Sequence, residues 1–165
     1  MLLCGLAVVA ILAVVGWAQF TSRHDVYGTP TPLMEAVYSD SPERIEALVR
    51  AGGDVDGATS VGYTPLMEAA GPHVEVIDVL LELGADPNAR IHHRGWTALT
   101  FAVVRGSVPA TQALLRAGAD LSVVATGGEF DGDTLCDIAE RQLAAPSDDM
   151  AASPEDRQTV RDLVC

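Results

Sequence analysis

Lysine is absent from this 165-residue chain: all 10 basic side chains are Arg, set against 23 acids, for a formal net charge of −13. A surface of that sign repels phosphate backbones, which argues against nucleic acid as a partner. A protein with a basic patch fits it better, and solubility alone is the plainer use of the charge. Charge is missing altogether from Met1 to Ser22, where "MLLCGLAVVAILAVVGWA" runs 18 apolar or small residues before Gln19. No polar face is left there for a soluble helix, so residues 1–20 are expected to be a membrane anchor or a cleaved signal peptide. Gly16 and Ala18 suit a cut before Gln19, whereas the length of the segment and the lack of a basic stretch ahead of it favour a retained anchor. Residues 21–28 then act as a linker. The remainder is expected to be exported: held at the cell membrane by one N-terminal anchor, or periplasmic or secreted after cleavage.

Catalytic signatures are missing too. No Gly-rich phosphate loop, Ser-centred elbow or Cys and His pair at a defined spacing occurs, so no catalytic residue and no cofactor site is assigned. A thiol enzyme built on Cys136 is the one enzymatic reading that can be constructed, and nothing else in the sequence supports it. His92 and His93 are neighbours that cannot both enter one tetrahedral site without distant ligands. Glu129, Asp131 and Asp133 in "EFDGD" alternate as calcium ligands can, yet the other spaced ligands are absent and a solvated turn is the better reading. No metal site is assigned.

What the chain does contain is a repeat. "TPLMEA" occurs as Thr31 to Ala36 and again as Thr64 to Ala69, and a partial copy, "TALTFA", follows from Thr97 to Ala102, each 33 residues after the last. Thr can cap a helix whose first position is Pro, which has no amide to leave unsatisfied, and the Ala residues that follow let neighbouring helices approach closely. Each copy leads to a second apolar run: "SPERIEALVRAGGD", "HVEVIDVLLELGAD" and "SVPATQALLRAGAD". In the first of these Ser41 can cap, Pro42 fits the first position, Glu43 suits the positive helix end, and Gly52 and Gly53 stop the helix. A single helix pair of this kind cannot bury its apolar face, whereas stacked copies can.

The stretches "GYTPLMEAAGPHVEVIDVLLELGADPN" and "GWTALTFAVVRGSVPATQALLRAGAD" resemble the ankyrin repeat in period and in the Thr-Pro-Leu signature. The resemblance covers about residues 29–165. It implies an all-α solenoid of about four helix-turn-helix units with projecting hairpin-like loops, preceded here by one N-terminal apolar helix. The units fall at about 29–61, 62–94, 95–128 and 129–165. One departure is that the family's His after "TPL" is replaced by Met34, Met67, Thr100 and Asp137, so the hydrogen bond it gives to Thr is expected to be lost and the loops to be less tightly tied.

The fourth unit, from "GDTLCDIAE", is altered: its Thr134 comes 37 residues after Thr97, and 10 acids face three Arg between Glu129 and Asp162. Such a unit suits the end of an array, where one face meets water. Ser153, Pro154 and Glu155 repeat the cap seen at Ser41. Antiparallel helices bring the start of its first helix, Cys136, to the end of its second, Cys165. A disulfide between them is geometrically reasonable, against the alternative of a small core residue and a frayed terminal thiol.

In the resembled family, partners are held by the projecting loops and the inner face of the first helices. Here those positions include Ser60, Val61 and Tyr63 in one loop, His93, Arg94 and Trp96 in the next, and Val104 and Arg105 near the end of a first helix. Tyr, Trp and Arg dominate interface energies, although Tyr63 and Trp96 can equally fill the space between loops. Ala at Trp96 and Arg94 is expected to abolish capture of a partner without unfolding the domain. The chain thus reads as a non-enzymatic, monomeric protein-binding module, exported or membrane-anchored through its N-terminal segment. The alternative is a structural or protective accessory protein of the cell envelope, with the solenoid as a rigid spacer.

Overall fold

The computed structural model describes residues 28–71, 73–144 and 152–165, so the apolar leader and the linker up to Tyr27 lie outside the described residues. Among the described residues no helix is long and apolar enough to cross a membrane. The described residues form four antiparallel helix pairs: α1 (Pro32–Tyr38) with α2 (Pro42–Arg50), α3 (Pro65–Ala69) with α4 (Ile77–Glu82), α5 (Ala98–Arg105) with α6 (Val108–Arg116), and α7 (Leu135–Ala144) with α8 (Pro154–Val164). The first helices pack in the order α1, α3, α5, α7 to make one layer, and the second helices stack as α2, α4, α6, α8 to make the other. No strand occurs among the described residues beyond an isolated bridge between Val124 and Thr134.

The local chemistry of each start is that of the repeat. Thr31 and Thr64 accept the amides of Met34 and Met67 at 3.3 Å through their hydroxyls, ahead of Pro32 and Pro65. Ser41 accepts the Arg44 amide at 3.4 Å, and Ser153 the Asp156 amide at 3.1 Å. Caps of this type contribute about 1 kcal/mol each. The second unit departs from the pattern. No Ser, Thr, Asp or Asn precedes its outer helix, which opens as an uncapped 3-10 turn, Val74–Val76, before α4 begins. Gly52 and Gly84, just past α2 and α4, sit at φ +94, and a Cβ on either would meet nothing within 4 Å. Backbone conformation, not crowding, is what requires glycine there.

Packing follows from the small residues. Ala36, Ala69, Ala70 and Ala102 are completely buried, as are Leu66, Leu80, Leu99 and Leu114. The Ala side chains let the first helices lie close together, and the Leu side chains fill the layer between first and second helices.

The expected loss of the hydrogen bond to Thr holds only in the first two units, where Met34 and Met67 are buried in the core. In the third, Thr100 Oγ1 accepts the Thr97 amide at 3.2 Å while Thr97 accepts the Thr100 amide at 3.4 Å, a reciprocal cap. In the fourth, Asp137 accepts from both the amide and the hydroxyl of Thr134, at 2.9 and 2.7 Å. The loops are also more firmly tied than expected. The Thr59 amide donates to Tyr63 O at 2.9 Å, the Ile91 amide to Trp96 O at 2.9 Å, and the Ala125 amide to Asp133 O at 2.9 Å, closing each loop as a hairpin. Neighbouring loops are joined in turn by His92 N to Val61 O at 3.0 Å and Thr126 N to Arg94 O at 2.8 Å. Backbone groups supply the ties, so the missing His has little effect on them.

These hydrogen bonds hold the Asp137 carboxyl below its ordinary value of 3.8, chiefly through the Thr134 hydroxyl and then the Thr134 amide. A depressed carboxyl stabilises the fold above its unfolded value, and that contribution is lost as pH falls through the folded one. Asp137→Asn is therefore expected to flatten the acid limb of the stability curve below about pH 4. Urea midpoints measured from pH 6 to pH 2.5 check this, and parallel curves for the two proteins would refute it.

Cys136, half-buried at the start of α7, and Cys165, exposed just past α8, are joined as a disulfide with their Cα atoms 5.0 Å apart. The bond ties both ends of the last helix pair.

Candidate functional site

Five Phe, Trp or Tyr residues lie beyond Tyr27, and four of them form one row. Tyr63 meets Phe101 edge to face at a centroid distance of 5.4 Å, Phe101 meets Trp96 at 5.2 Å, and Trp96 meets Phe130 at 5.8 Å. The row crosses the second, third and fourth units, because Tyr63 and Trp96 each stand one residue before a capping Thr, Phe101 lies on α5, and Phe130 on the 3-10 turn Gly128–Phe130. Each such pair adds about 0.5–1.5 kcal/mol beyond the area it buries. All four are buried.

Where the row reaches the surface it floors a cleft of about 440 Å³, lined by Arg94, Trp96, Phe101, Val104, Arg105, Gly128, Glu129 and Phe130. Small-ligand pockets start at roughly 300 Å³, so the space can take a side chain and its neighbours. The Arg94 guanidinium lies over the Trp96 ring, 5.6 Å from its centroid. Arg141, outside the cleft, braces the turn carrying Glu129 and Phe130: it lies 5.5 Å from the Phe130 centroid, donates to Glu129 O at 2.8 Å and pairs with Asp133 at 2.7 Å. A charged side chain anchored three ways fixes the turn against α7.

The anticipated surface residues divide in two. Arg94, Trp96, Val104 and Arg105 come together at this cleft. Ser60 and His93 are exposed on the loops, and Val61 is half-buried beside them. Tyr63 is buried, its hydroxyl donating to Glu68 at 2.7 Å. Trp96 is only 7% exposed, so it supports the cleft from beneath, and an alanine there is expected to destabilise the domain as well as alter the cleft.

Sequence reasoning missed Phe101 and Phe130, and took Glu129 only as part of a solvated turn. A signal existed for the first: Phe101 occupies the place that Glu35 and Glu68 hold in the two "TPLMEA" copies. Phe130 was passed over because its loop is longer than the others and has no counterpart to align with.

The other candidates have local uses. Asp131 accepts the Gly127 amide at 2.8 Å, and Asp133 is engaged by Arg141, so the carboxylates of "EFDGD" do not converge. His92 and His93 are both exposed. Glu140 brings a carboxylate within 4.8 Å of the sulfurs of Cys136 and Cys165. With the sulfurs bonded to each other, they offer no thiolate to a metal.

Comparison with known proteins now bears on this arrangement. The sequence model of the family described as Ankyrin repeats (3 copies) matches residues 5–91 and 33–125. The human ankyrin repeat and KH domain-containing protein 1 is 37% identical over 95 residues, covering 56% of this chain and 4% of that protein. The Drosophila melanogaster ankyrin repeat and KH domain-containing protein mask is 42% identical over 95 residues, covering 56% of this chain and 2% of that protein. The Bos taurus mitochondrial disaggregase is 38% identical over 96 residues, covering 58% of this chain and 12% of that protein. The chain thus spans only a small part of the length of these relatives.

Proposed function

The chain belongs to the ankyrin repeat family, whose repeats are generally protein–protein interaction modules, and from that premise we propose that it is a non-enzymatic module holding a protein partner through its loops and inner helix face. One observation carries the reading: residues from a loop (Arg94, Trp96), a first helix (Phe101, Val104, Arg105) and the next loop (Glu129, Phe130) meet around one cleft. Three elements from neighbouring units presenting aromatic and Arg side chains to one space is the composition of an interface centre, with exposed loop residues as its rim. The acid excess of the chain away from the cleft favours basic surface on the partner there.

The apolar leader supports placing this module at the cell membrane or, after cleavage, outside it. N-terminal sequencing of the mature protein together with protease protection in intact cells tests that placement, and an uncleaved, protected acidic domain would refute export.

For the binding reading, a photo-crosslinking residue at exposed His93 is expected to trap a discrete protein, while the same residue at exposed Gln112, on the outer helix α6, is not. Equal trapping at both positions, or none at His93, would count against it.

A further inference from the structure

We propose that the cleft between the third and fourth units receives a bulky apolar side chain next to a single carboxylate, presented by a peptide segment of the partner. This rests on the protein-binding reading above and names the chemistry at its centre. The floor is apolar and aromatic, made by Trp96, Phe101 and Phe130, which selects a bulky apolar group. The rim carries two cations. Neither Arg94 nor Arg105 has a carboxylate partner among the described residues, although the protein has more than twice as many acids as bases.

Arg50, Arg90, Arg141 and Arg161 each pair with a carboxylate, whereas Arg44, Arg94, Arg105 and Arg116 do not among the described residues. Of these, Arg94 and Arg105 are the two that stand beside an apolar floor, where an unpaired guanidinium offers a complementary contact to a carboxylate. Arg94 is also held in place over Trp96, so little of its freedom is lost on binding. The indole Nε1 of Trp96, in the same wall, is buried without an acceptor among the described residues. An acceptor seated in the cleft could satisfy it once the indole edge tips outward.

The limit to one carboxylate comes from the rest of the surface. Glu129 also lines the cleft beside the two Arg, leaving a local charge of about +1, and the chain beyond is strongly acidic. Further acids on the segment are repelled, while a backbone amide of the segment can donate to Glu129.

The full chain in mild detergent, immobilised and panned with a random peptide display library, tests this. Selected peptides are expected to share a bulky apolar residue adjacent to one Asp or Glu. One such peptide is then titrated against the Trp17→Phe chain, in which Trp96 is the sole remaining indole. Binding should shift Trp96 fluorescence and weaken about tenfold with Arg94→Gln or Arg105→Gln, both at exposed positions, with unfolding curves confirming that each variant is folded. Glu129→Gln should tighten it several-fold, the opposite direction, which a merely structural role would not give. Replacing the peptide carboxylate by its amide should cost as much as losing one Arg.

Selected peptides without a carboxylate, or an amide peptide that binds equally well, would overturn the inference and leave the protein-binding reading standing. No enriched peptide alongside a discrete crosslink at His93 would do the same. No enriched peptide and no crosslink would overturn both.

Discussion

Trp96→Ala is expected to lower the free energy of unfolding by about 3–5 kcal/mol, the range for deleting a large aromatic from a packed interior. The side chain is 7% exposed and touches Phe101 and Phe130 at centroid distances of 5.2 and 5.8 Å, so its removal cuts the row at its middle. The surroundings cannot readily close the gap. Phe101 is fixed on α5 by the Thr97 and Thr100 caps, and Phe130 is fixed by Arg141. A residual cavity therefore adds to the lost transfer energy. The melting temperature should fall by roughly 10 °C, at about 2–4 °C per kcal/mol for a chain of this size. Trp96→Phe, which keeps an aromatic face, should recover most of the loss. A destabilisation below about 1 kcal/mol for the alanine variant would mean that the row is not cooperative.

The second large effect is expected from the terminal disulfide. Opening it releases a loop spanning a sequence separation of 29, which the chain-entropy account values at about 3–4 kcal/mol. The location decides how the loss is distributed. Among the described residues, the main packing of the last helix, α8, is on α7, then on α6 and α5. It also carries little apolar surface, since Val160 is its one buried residue. The Cys136→Ser and Cys165→Ser variants, or the protein under a dithiol reductant, should accordingly lose α8 first, seen as early proteolytic clipping before the main urea transition. Coincident urea transitions for oxidised and reduced protein would refute this, as would two free thiols found by non-reducing mass spectrometry. In a repeat array the loss need not spread, because each unit's stability depends mainly on its immediate neighbours.

The fold was legible because the repeat is written redundantly. Thr31, Thr64, Thr97 and Thr134 each accept a first-turn amide, and Ala36, Ala69 and Ala102 each sit at a buried helix contact. Repeated readings of one local rule constrain the architecture far more than any one of them does. The ties between loops were not legible. They use the backbone of His92 and Thr126, and a backbone hydrogen bond leaves no trace in side-chain identity. The cleft was half legible for a related reason. Arg94, Trp96, Val104 and Arg105 lie in segments that align with the other units, whereas Glu129 and Phe130 come from an insertion whose course only tertiary packing fixes. Burial of Trp96 was the third obscurity: the same residue type anchors interfaces and fills cores, and its neighbours Phe101 and Phe130 decide between them here.

The hydrogen bonds from His92 N to Val61 O and from Thr126 N to Arg94 O have a dynamic consequence. His92 and Thr126 are exposed residues at loop positions, which ordinarily open to solvent on their own at little cost. Here each amide is held by the unit before it. Local breathing of a tip therefore breaks a bond between two repeats, and amide exchange at His92 and Thr126 is expected to be slower than in a loop tied only to itself.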